Sequence, residues 1–124
     1  MKIPKPSDAD REYFRSLVPA DPRVEIRPMF GNLGAFIGGN MFMGLFGAVV
    51  GVRLGDEHRA ELMEQPGAGP YLSPERPMKG WAALPAAWRD EPARAAPWVG
   101  RALEQAAAMP PKAAKSRKAP PARG

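Results

Sequence analysis

The feature that most constrains this chain of 124 residues is a dense run of glycine in its first half. Eight of its 13 glycines lie between Gly31 and Gly55, and they divide that stretch into short apolar segments. Short apolar segments bounded by turn-forming residues are typical of strands. Gly38 and Gly39 supply the positive φ angles of a tight hairpin, and links this short exclude parallel crossovers. The pattern therefore predicts an antiparallel meander with strands at Val24–Phe30, Leu33–Ile37, Met41–Phe46 and Val49–Leu54.

Helical patterns flank the predicted meander. Ser7 is a suitable N-cap, because acidic residues follow it at the positive end of the helix dipole. Pro97 lies within the last helical pattern, so that helix either starts or kinks there. Together the elements predict an α+β class with two layers, an antiparallel meander packed by N-terminal, middle and C-terminal helices. The expected elements outside the meander are helices from Ser7 to about Val18, from Asp56 to about Gln65 and after Asp90, short strands at Gly69–Leu72 and Lys79–Leu84, and one helical turn at Pro85–Arg89.

The positive charge of the chain is concentrated at its C-terminal end. The net charge is +5 and the pI about 10.0, and the stretch 110–124 holds five cations and no acid. The stretch 1–109 keeps 13 of the 18 Lys and Arg residues against all 13 Asp and Glu, so it is electrically balanced. A stretch of Pro, Ala and cations has nothing large to bury, and we expect disorder there. We therefore predict a domain at 1–109 and a disordered basic tail at 110–124.

The basic tail is a candidate for weak, salt-dependent contact with nucleic-acid phosphates. It contains no aromatic residue that would stack on bases, and a solvated tail is the competing interpretation. The cations concerned are Lys112, Lys115, Arg117, Lys118 and Arg123.

The strand predicted at Met41–Phe46 lacks a polar face. Strict alternation places its odd-numbered residues on one side and its even-numbered residues on the other, and neither set carries a polar side chain. Both faces of such a strand need cover. Because exposed apolar patches mark interaction sites, we predict a homodimer, with a strand sandwiched by helices of the same chain as the alternative. The predicted interaction surface comprises Met29, Phe30, Met41, Phe42, Met43, Phe46 and Trp81.

Residue chemistry identifies no reaction, and we predict no catalytic residue, no cofactor and no metal. The lack of cysteine excludes disulfides, Cys-ligated zinc and a thiol nucleophile. His58 has Glu61 at helical spacing as a second metal ligand, but a solvent-facing residue is the simpler interpretation. The glycine-rich stretch 31–40 matches neither phosphate-binding glycine motif. A pocket near residues 73–81, where Glu75, Arg76 and Lys79 would orient an anion, stays open as an alternative.

The sequence gives no sign of membrane insertion or export. The longest apolar run, Met41–Val50, has 10 residues, against the roughly 20 that span a bilayer. Met1–Glu12 is polar and interrupted by proline, unlike a secretory signal. We expect a cytoplasmic protein without membrane contact.

An ordered series of short motifs runs through the predicted domain. The segment RPMFGNLG at 27–34, followed by GNMF at 39–42, resembles the signature R-x-M-F-G-G-x-G … G-x-M-F of the TfoX N-terminal domain, in the TfoX/Sxy competence-regulator family. The resemblance spans about Tyr13–Ala108. Further matches are Val52-Arg53-Leu54, the helix Asp56–Gln65, Pro77-Met78-Lys79-Gly80-Trp81, Leu84-Pro85, Trp98-Val99 and Arg101-Ala102-Leu103-Glu104.

The resemblance implies a two-layer α+β domain with a curved antiparallel sheet, often dimeric. It also implies a role near the transcriptional control of DNA uptake, because full-length members act as coactivators with a CRP-type regulator. Those members carry a second, C-terminal helical domain, and we expect a stand-alone N-terminal domain here. We therefore predict a non-enzymatic protein-interaction module, an accessory factor in transcriptional or competence regulation. The alternatives are a nucleic-acid binder acting through the tail and a small ligand-binding protein or enzyme.

Overall fold

The stretch divided by glycines forms four consecutive antiparallel strands, as predicted. A computed structural model of the chain describes residues 5–29, 31–72 and 78–110. Gly31, Gly38, Gly39 and Gly47 have positive φ angles at the hairpin turns. The five-stranded sheet has the order β1-β2-β3-β4-β5, so strands adjacent in sequence are also adjacent in space. The strands are β1 Val24–Met29, β2 Asn32–Ile37, β3 Asn40–Phe46, β4 Val49–Arg53 and β5 Trp81–Ala83.

The helices pack mainly against one face of this sheet. Helix α3 contacts the central strands β2, β3 and β4, and α1 packs on α3, while α2 lies against β5. This arrangement confirms the predicted α+β class and the meander. The helices are α1 Asp8–Leu17, α2 Asp56–Met63 and α3 Pro92–Ala107, with a 3₁₀ helix at Ala86–Asp90.

Two predicted elements around α2 differ from the structure. Gly55 is the N-cap of α2, and Asp56, predicted as the cap, is the first helical residue. The strand predicted at Gly69–Leu72 is reduced to isolated bridge residues, Gly69, which pairs with Ala83, and Leu72. The strand is not extended because Tyr71 of this segment lies across the sheet, against Gly44 and Gly51.

Helix α3 resolves the question raised by Pro97. The helix begins at Pro92, where the missing N–H costs nothing because the first turn has no intrahelical acceptors. It then continues through Pro97, at the cost of one backbone hydrogen bond. The small residues Ala95, Ala102 and Ala106 are buried against the sheet and allow the helix to lie close to it.

A β-bulge in β3 overturns the predicted alternation of that strand. Ala35 pairs with Met43, and the next residue of β2, Phe36, pairs with Met41, which leaves Phe42 as the extra residue. Phe42 and Met43 therefore both enter the main core, each with 0% exposure. The prediction that Phe42 and Met43 lie on an interaction surface is wrong, since an inserted residue reverses which face the following side chains take.

We call the helix-covered side of the sheet the core face and the other side the second face. The core face buries Phe14 of α1, Val99 of α3 and the inward residues of every central strand. Such a core, rather than any single contact, supplies most of the stability of a chain this size. Among the described residues, no helix is long and apolar enough to cross a bilayer.

All of the predicted tail except Pro110, including its five cations, lies outside the described residues, as does Phe30. The last described residue, Pro110, accepts a hydrogen bond through its backbone oxygen from Nδ2 of Asn40, at 3.0 Å. This contact attaches the end of the α3 segment to the start of β3. The division at residues 109 and 110 stays a prediction.

Asp10 joins two parts of the helical layer. Its carboxylate accepts the Ser7 backbone N–H at 2.8 Å, and Ser7 Oγ accepts the Asp10 N–H at 3.1 Å, which completes a capping box. The Arg89 guanidinium lies 2.6 Å from the same carboxylate. The backbone hydrogen bond from Ser7 and then the hydrogen bond from Arg89 lower the pKa of Asp10.

Replacing Asp10 by asparagine is expected to destabilise the protein in a pH-dependent way. The depressed folded-state pKa stabilises the wild type above the unfolded-state pKa, about 3.9, and this contribution disappears as the pH falls through the folded-state value. Urea denaturation should therefore show a less stable Asp10→Asn variant at about pH 7 and a much smaller difference at about pH 2. Asp8→Asn, at an exposed pair on the same turn, is the control with a smaller effect. A pH-independent loss would contradict this assignment.

Candidate functional site

Three glycines form a row across the second face of the sheet. Gly34 of β2 pairs with Gly44 of β3, and Gly44 pairs with Gly51 of β4. Ala83 of β5 pairs with Gly51 and continues the row with another small residue. Directly paired residues project on the same side of an antiparallel sheet. The glycine row, Gly34–Gly44–Gly51, is therefore a strip of bare backbone on which another group can lie closely.

Tyr71 lies on the glycine row. A Cβ added at Gly51 would be within 2.6 Å of three Tyr71 ring atoms, and one added at Gly44 would be 2.6 Å from the Tyr71 hydroxyl oxygen. The ring therefore runs along the row from Gly51 to Gly44. Trp81 stacks on it, with ring centroids 5.4 Å apart and planes inclined by 20°. Tyr71 is only 3% exposed, so the same chain covers the centre of the second face.

The dimer prediction rests on an uncovered apolar face of β3, and Tyr71 covers part of that face. The expectation that both faces of β3 are covered holds at the centre of the sheet, where the cover comes from residues of the same chain. Trp81 of the predicted surface is buried behind Tyr71. The homodimer stays a prediction, and the apolar surface on which it rested is smaller than the sequence indicated.

Beyond the Tyr71 hydroxyl, the second face opens into a partly enclosed cavity of about 190 Å³. We call it the Tyr71 cavity. Its lining is almost wholly apolar, and three of the predicted surface residues, Met29, Met41 and Phe46, contribute to it. The rest of the lining is Asn32, Leu33, Leu45, Tyr71, Leu72 and Met78, of which Met78 falls within the alternative pocket predicted near residues 73–81. The structure therefore brings three of the predicted surface residues together, whose role stays a prediction, and buries Phe42 and Met43 in the core.

Leu72, at the rim of the Tyr71 cavity, has an unusual backbone. Its φ angle is +80°, the only positive value at a non-glycine residue in the described ranges. A left-handed conformation costs an ordinary residue roughly 1–2 kcal/mol. Its side chain is nevertheless 41% exposed, so burial of the leucine does not offset this strain. Strained backbone of this kind clusters at functional sites.

The Tyr71 hydroxyl is the second unusual feature. It makes no hydrogen bond within the described part of the chain. Burial raises the pKa of the Tyr71 phenol above its ordinary value of 10.0, so at neutral pH the hydroxyl is a protonated donor. The fully buried side-chain atoms without a partner in the described ranges are Asn40 Oδ1 and Arg59 Nε, so water reaches the Tyr71 hydroxyl. A donor that is bonded to no protein group, beside an apolar cavity, is suited to exchange that water for an acceptor on a bound group.

Polar contacts hold the borders of the Tyr71 cavity. Asn32, also in its lining, is buried, and its Oδ1 accepts the Gly47 backbone N–H at 2.8 Å, which connects two hairpin turns. On β1, the Arg27 guanidinium lies 4.9 Å from the centroid of the Phe36 ring and 2.8 Å from Glu25. The hydrogen bond from Arg27 lowers the pKa of Glu25. These contacts position β1 and the turns without entering the cavity.

A second concave region lies at the start of α2. Arg53, Arg59 and Lys79 border a cleft of about 520 Å³ there, which we call the cationic cleft. Arg59 is 4.0 Å from Asp56, whereas Arg53 and Lys79 form no ion pair in the described ranges. Lys79 belongs to the predicted ligand pocket near residues 73–81, but residues 73–77 lie outside the described residues. That alternative stays a prediction.

His58 and Glu61 are not joined by a third potential metal ligand among the described residues. Glu61 lies 3.4 Å from the Arg101 guanidinium, which occupies its carboxylate. The part of the chain that the structure describes contains no group of three or more potential ligands able to hold a metal ion.

Tyr71 and Leu72 are site residues that sequence reasoning missed, whereas Met78 lies within the alternative pocket predicted near residues 73–81. Glycines were interpreted as turn residues, which is correct for those with positive φ but not for Gly34, Gly44 and Gly51. The signal was present in the sequence, because once the hairpins are drawn these three glycines fall opposite one another. Glycine at the same level of three neighbouring strands indicates that something lies against the sheet there.

The match to known families covers the whole site. The family model of the TfoX N-terminal domain matches residues 12–106, a range that includes every strand, the glycine row and the Tyr71 cavity. None of the curated proteins compared with the chain matches it.

Gly51→Ala is expected to destabilise the protein because its methyl group would overlap the Tyr71 ring. Overpacking of this kind costs about 1–3 kcal/mol in free energy of unfolding, measurable by urea denaturation. In a Tyr71→Ala background the added cost should largely vanish, because the two residues act on the same space. Gly69→Ala is the control, since a Cβ there meets no atom within 4 Å. Additive effects of Gly51→Ala and Tyr71→Ala would contradict the contact.

The backbone of Leu72 predicts an inverted order of stability for glycine and alanine. At ordinary positions alanine is the more stabilising residue. At φ +80°, Leu72→Gly should instead be more stable than Leu72→Ala by roughly 1 kcal/mol, measured by thermal or urea denaturation. Met63 in α2, with a similar exposure of 38%, is the matched position. There the alanine variant should be more stable than the glycine variant. If the alanine variant is more stable than the glycine variant at both positions, the backbone of Leu72 is unstrained.

Proposed function

The chain belongs to the TfoX N-terminal domain family, and from that premise we propose that it is a non-enzymatic interaction domain. It binds a protein partner at the Tyr71 cavity, and the partner inserts one apolar side chain there. The family is not a known enzyme family.

The observation that carries this proposal is the chemistry of the Tyr71 cavity. Its almost wholly apolar lining offers little with which to perform acid–base or nucleophilic chemistry. A concave apolar site does, however, suit the central anchor of a protein interface, where one buried side chain supplies much of the binding energy. Exposed Leu72 at the rim would extend the contact around such an anchor.

Methionine in the wall supports binding rather than rigid packing. Met29 and Met41 are half-buried, and their flexible, polarisable thioethers adjust to an inserted group better than branched side chains do. Built Cβ positions on Gly34 lie 3.0 Å from Met29 Sδ and 3.2 Å from Met41 Cε, so both thioether groups extend over the glycine row. The lack of a side chain at Gly34 lets both thioether groups lie directly on the backbone of the sheet.

The family also suggests the setting of the interaction. We propose that the partner is a protein of transcriptional control and that the domain is an accessory factor in transcriptional or competence regulation. Support for this finer role comes from family membership alone. The electrical balance of residues 1–109 favours protein contact over direct contact with phosphates.

The test uses the full chain as bait for a displayed library of random peptides. Leu72→Asp places a charge at the rim of the Tyr71 cavity, at an exposed residue whose backbone suits aspartate. Peptides selected by the wild type should bind this variant at least about tenfold more weakly by fluorescence anisotropy, because the charge would be desolvated on binding. Ile26→Asp is the matched control: its residue is 37% exposed and, paired with Ala35, projects to the core face.

Each outcome of this experiment decides the proposal. Binding that is lost in Leu72→Asp and kept in Ile26→Asp supports it. Equal binding by all three proteins, or no selected peptide, overturns it. Sedimentation of the wild type as a dimer and of Leu72→Asp as a monomer would make a second copy the occupant, and would overturn the choice of a different protein.

A further inference from the structure

The dimensions of the Tyr71 cavity limit what can enter it. Its volume of about 190 Å³ is only slightly larger than the roughly 150 Å³ apolar cavity that binds a benzene molecule. The cavity therefore holds one six-membered ring with a small substituent, and a larger group would extend through its open side.

The walls favour an aromatic ring over an aliphatic group. Met29, Met41 and Met78 all contribute to the lining, and thioether sulfurs make favourable contacts with the edges of aromatic rings. Phe46 adds an aromatic side chain to the same wall, suited to an edge-to-face contact.

One end of the cavity is polar, and its position is defined by the glycine row. Gly51 lies under Cγ and Cδ1 of Tyr71, and Gly44 lies under the hydroxyl, next to Met41 Cε. The hydroxyl thus points towards Met41, on the cavity side, while the base of the ring is held by Trp81. The donor has no partner in the described ranges, and an entering acceptor would provide one.

We propose that the anchor bound in the Tyr71 cavity is a tyrosine side chain of the partner, whose phenol oxygen accepts a hydrogen bond from the Tyr71 hydroxyl. Among protein side chains, only tyrosine and histidine combine an aromatic ring with an acceptor, and an apolar wall suits tyrosine better. This inference rests on the proposed function and adds the identity of the anchor. It makes Tyr71 the residue that selects tyrosine over phenylalanine.

The first part of the test uses small probes and the full chain. The chain has seven methionines, and labelling their ε-methyl groups with carbon-13 provides NMR reporters inside and outside the cavity. Titration with p-cresol or toluene, the side-chain analogues of tyrosine and phenylalanine, should shift the signals of Met29, Met41 and Met78. The signal of Met109, outside the cavity lining, should stay unchanged.

The second part of the test removes the donor. In Tyr71→Phe, the affinity for p-cresol relative to toluene should fall by roughly threefold to tenfold, the range expected for one neutral hydrogen bond. An unchanged Met43 signal, from the core, confirms that the variant is folded. An unchanged ratio, or cavity methyl signals that do not respond to either probe, would overturn the proposal.

The third part distinguishes this inference from the proposed function. Peptides selected in the display experiment are remade with tyrosine replaced by phenylalanine. A loss of affinity in the wild type that disappears in Tyr71→Phe supports the tyrosine anchor. Selected peptides that bind at the cavity but are indifferent to this exchange overturn the anchor and leave the interaction domain intact. Binding of p-cresol without any peptide points to a free phenol and overturns both.

Discussion

The contact between Tyr71 and the glycine row is the interaction on which the second face of this protein depends. A five-stranded sheet with helices on one side leaves its other side to water or to a partner. Here three strands lack side chains at one level, and an aromatic ring from the segment after α2 fills the strip. The contact requires glycine at Gly44 and Gly51, because any Cβ there would overlap the ring.

The same contact explains why a cavity exists. The Tyr71 ring covers the row from Gly51 to Gly44, and its hydroxyl ends there. Past that point, among the described residues, the flexible side chains of Met29 and Met41 lie over the row, next to Phe36. The rigid Tyr71 ring ends midway along the glycine row. The flexible side chains beyond it leave a concave apolar region. The binding properties that we propose for the domain therefore depend on the position at which the Tyr71 side chain ends on the glycine row.

The sequence was sufficient to predict the meander, because glycine turns and short apolar segments are local signals. It was not sufficient to predict which side chains face the core. One inserted residue, Phe42, reverses the alternation, and nothing in a run of apolar residues marks the position of a bulge. Tyr71 was missed for a related reason: its role depends on contacts with residues about twenty or more positions away. Periodicity describes neighbours in sequence, whereas the glycine row becomes apparent only when three strands are aligned.

The distinction between core and cavity residues gives the family motif two roles. The Met-Phe pair at 41–42 is divided by the bulge, so Met41 contributes to the second face while Phe42 enters the core. Gly34 of the preceding motif lies beneath Met29 and Met41. The motif residues thus contribute both to the core and to the floor and wall of the Tyr71 cavity.

The most direct test is a measurement of proton–proton nuclear Overhauser effects on the wild-type chain. If the Tyr71 ring lies on the glycine row, its ring protons will show strong effects to the α-protons of Gly51 and Gly44, and those α-protons will be shifted upfield by the ring current. If the Tyr71 ring instead extends into solvent, these effects will be absent and the glycine α-protons will resonate at ordinary positions. That result would contradict the cover of the second face and the cavity that depends on it.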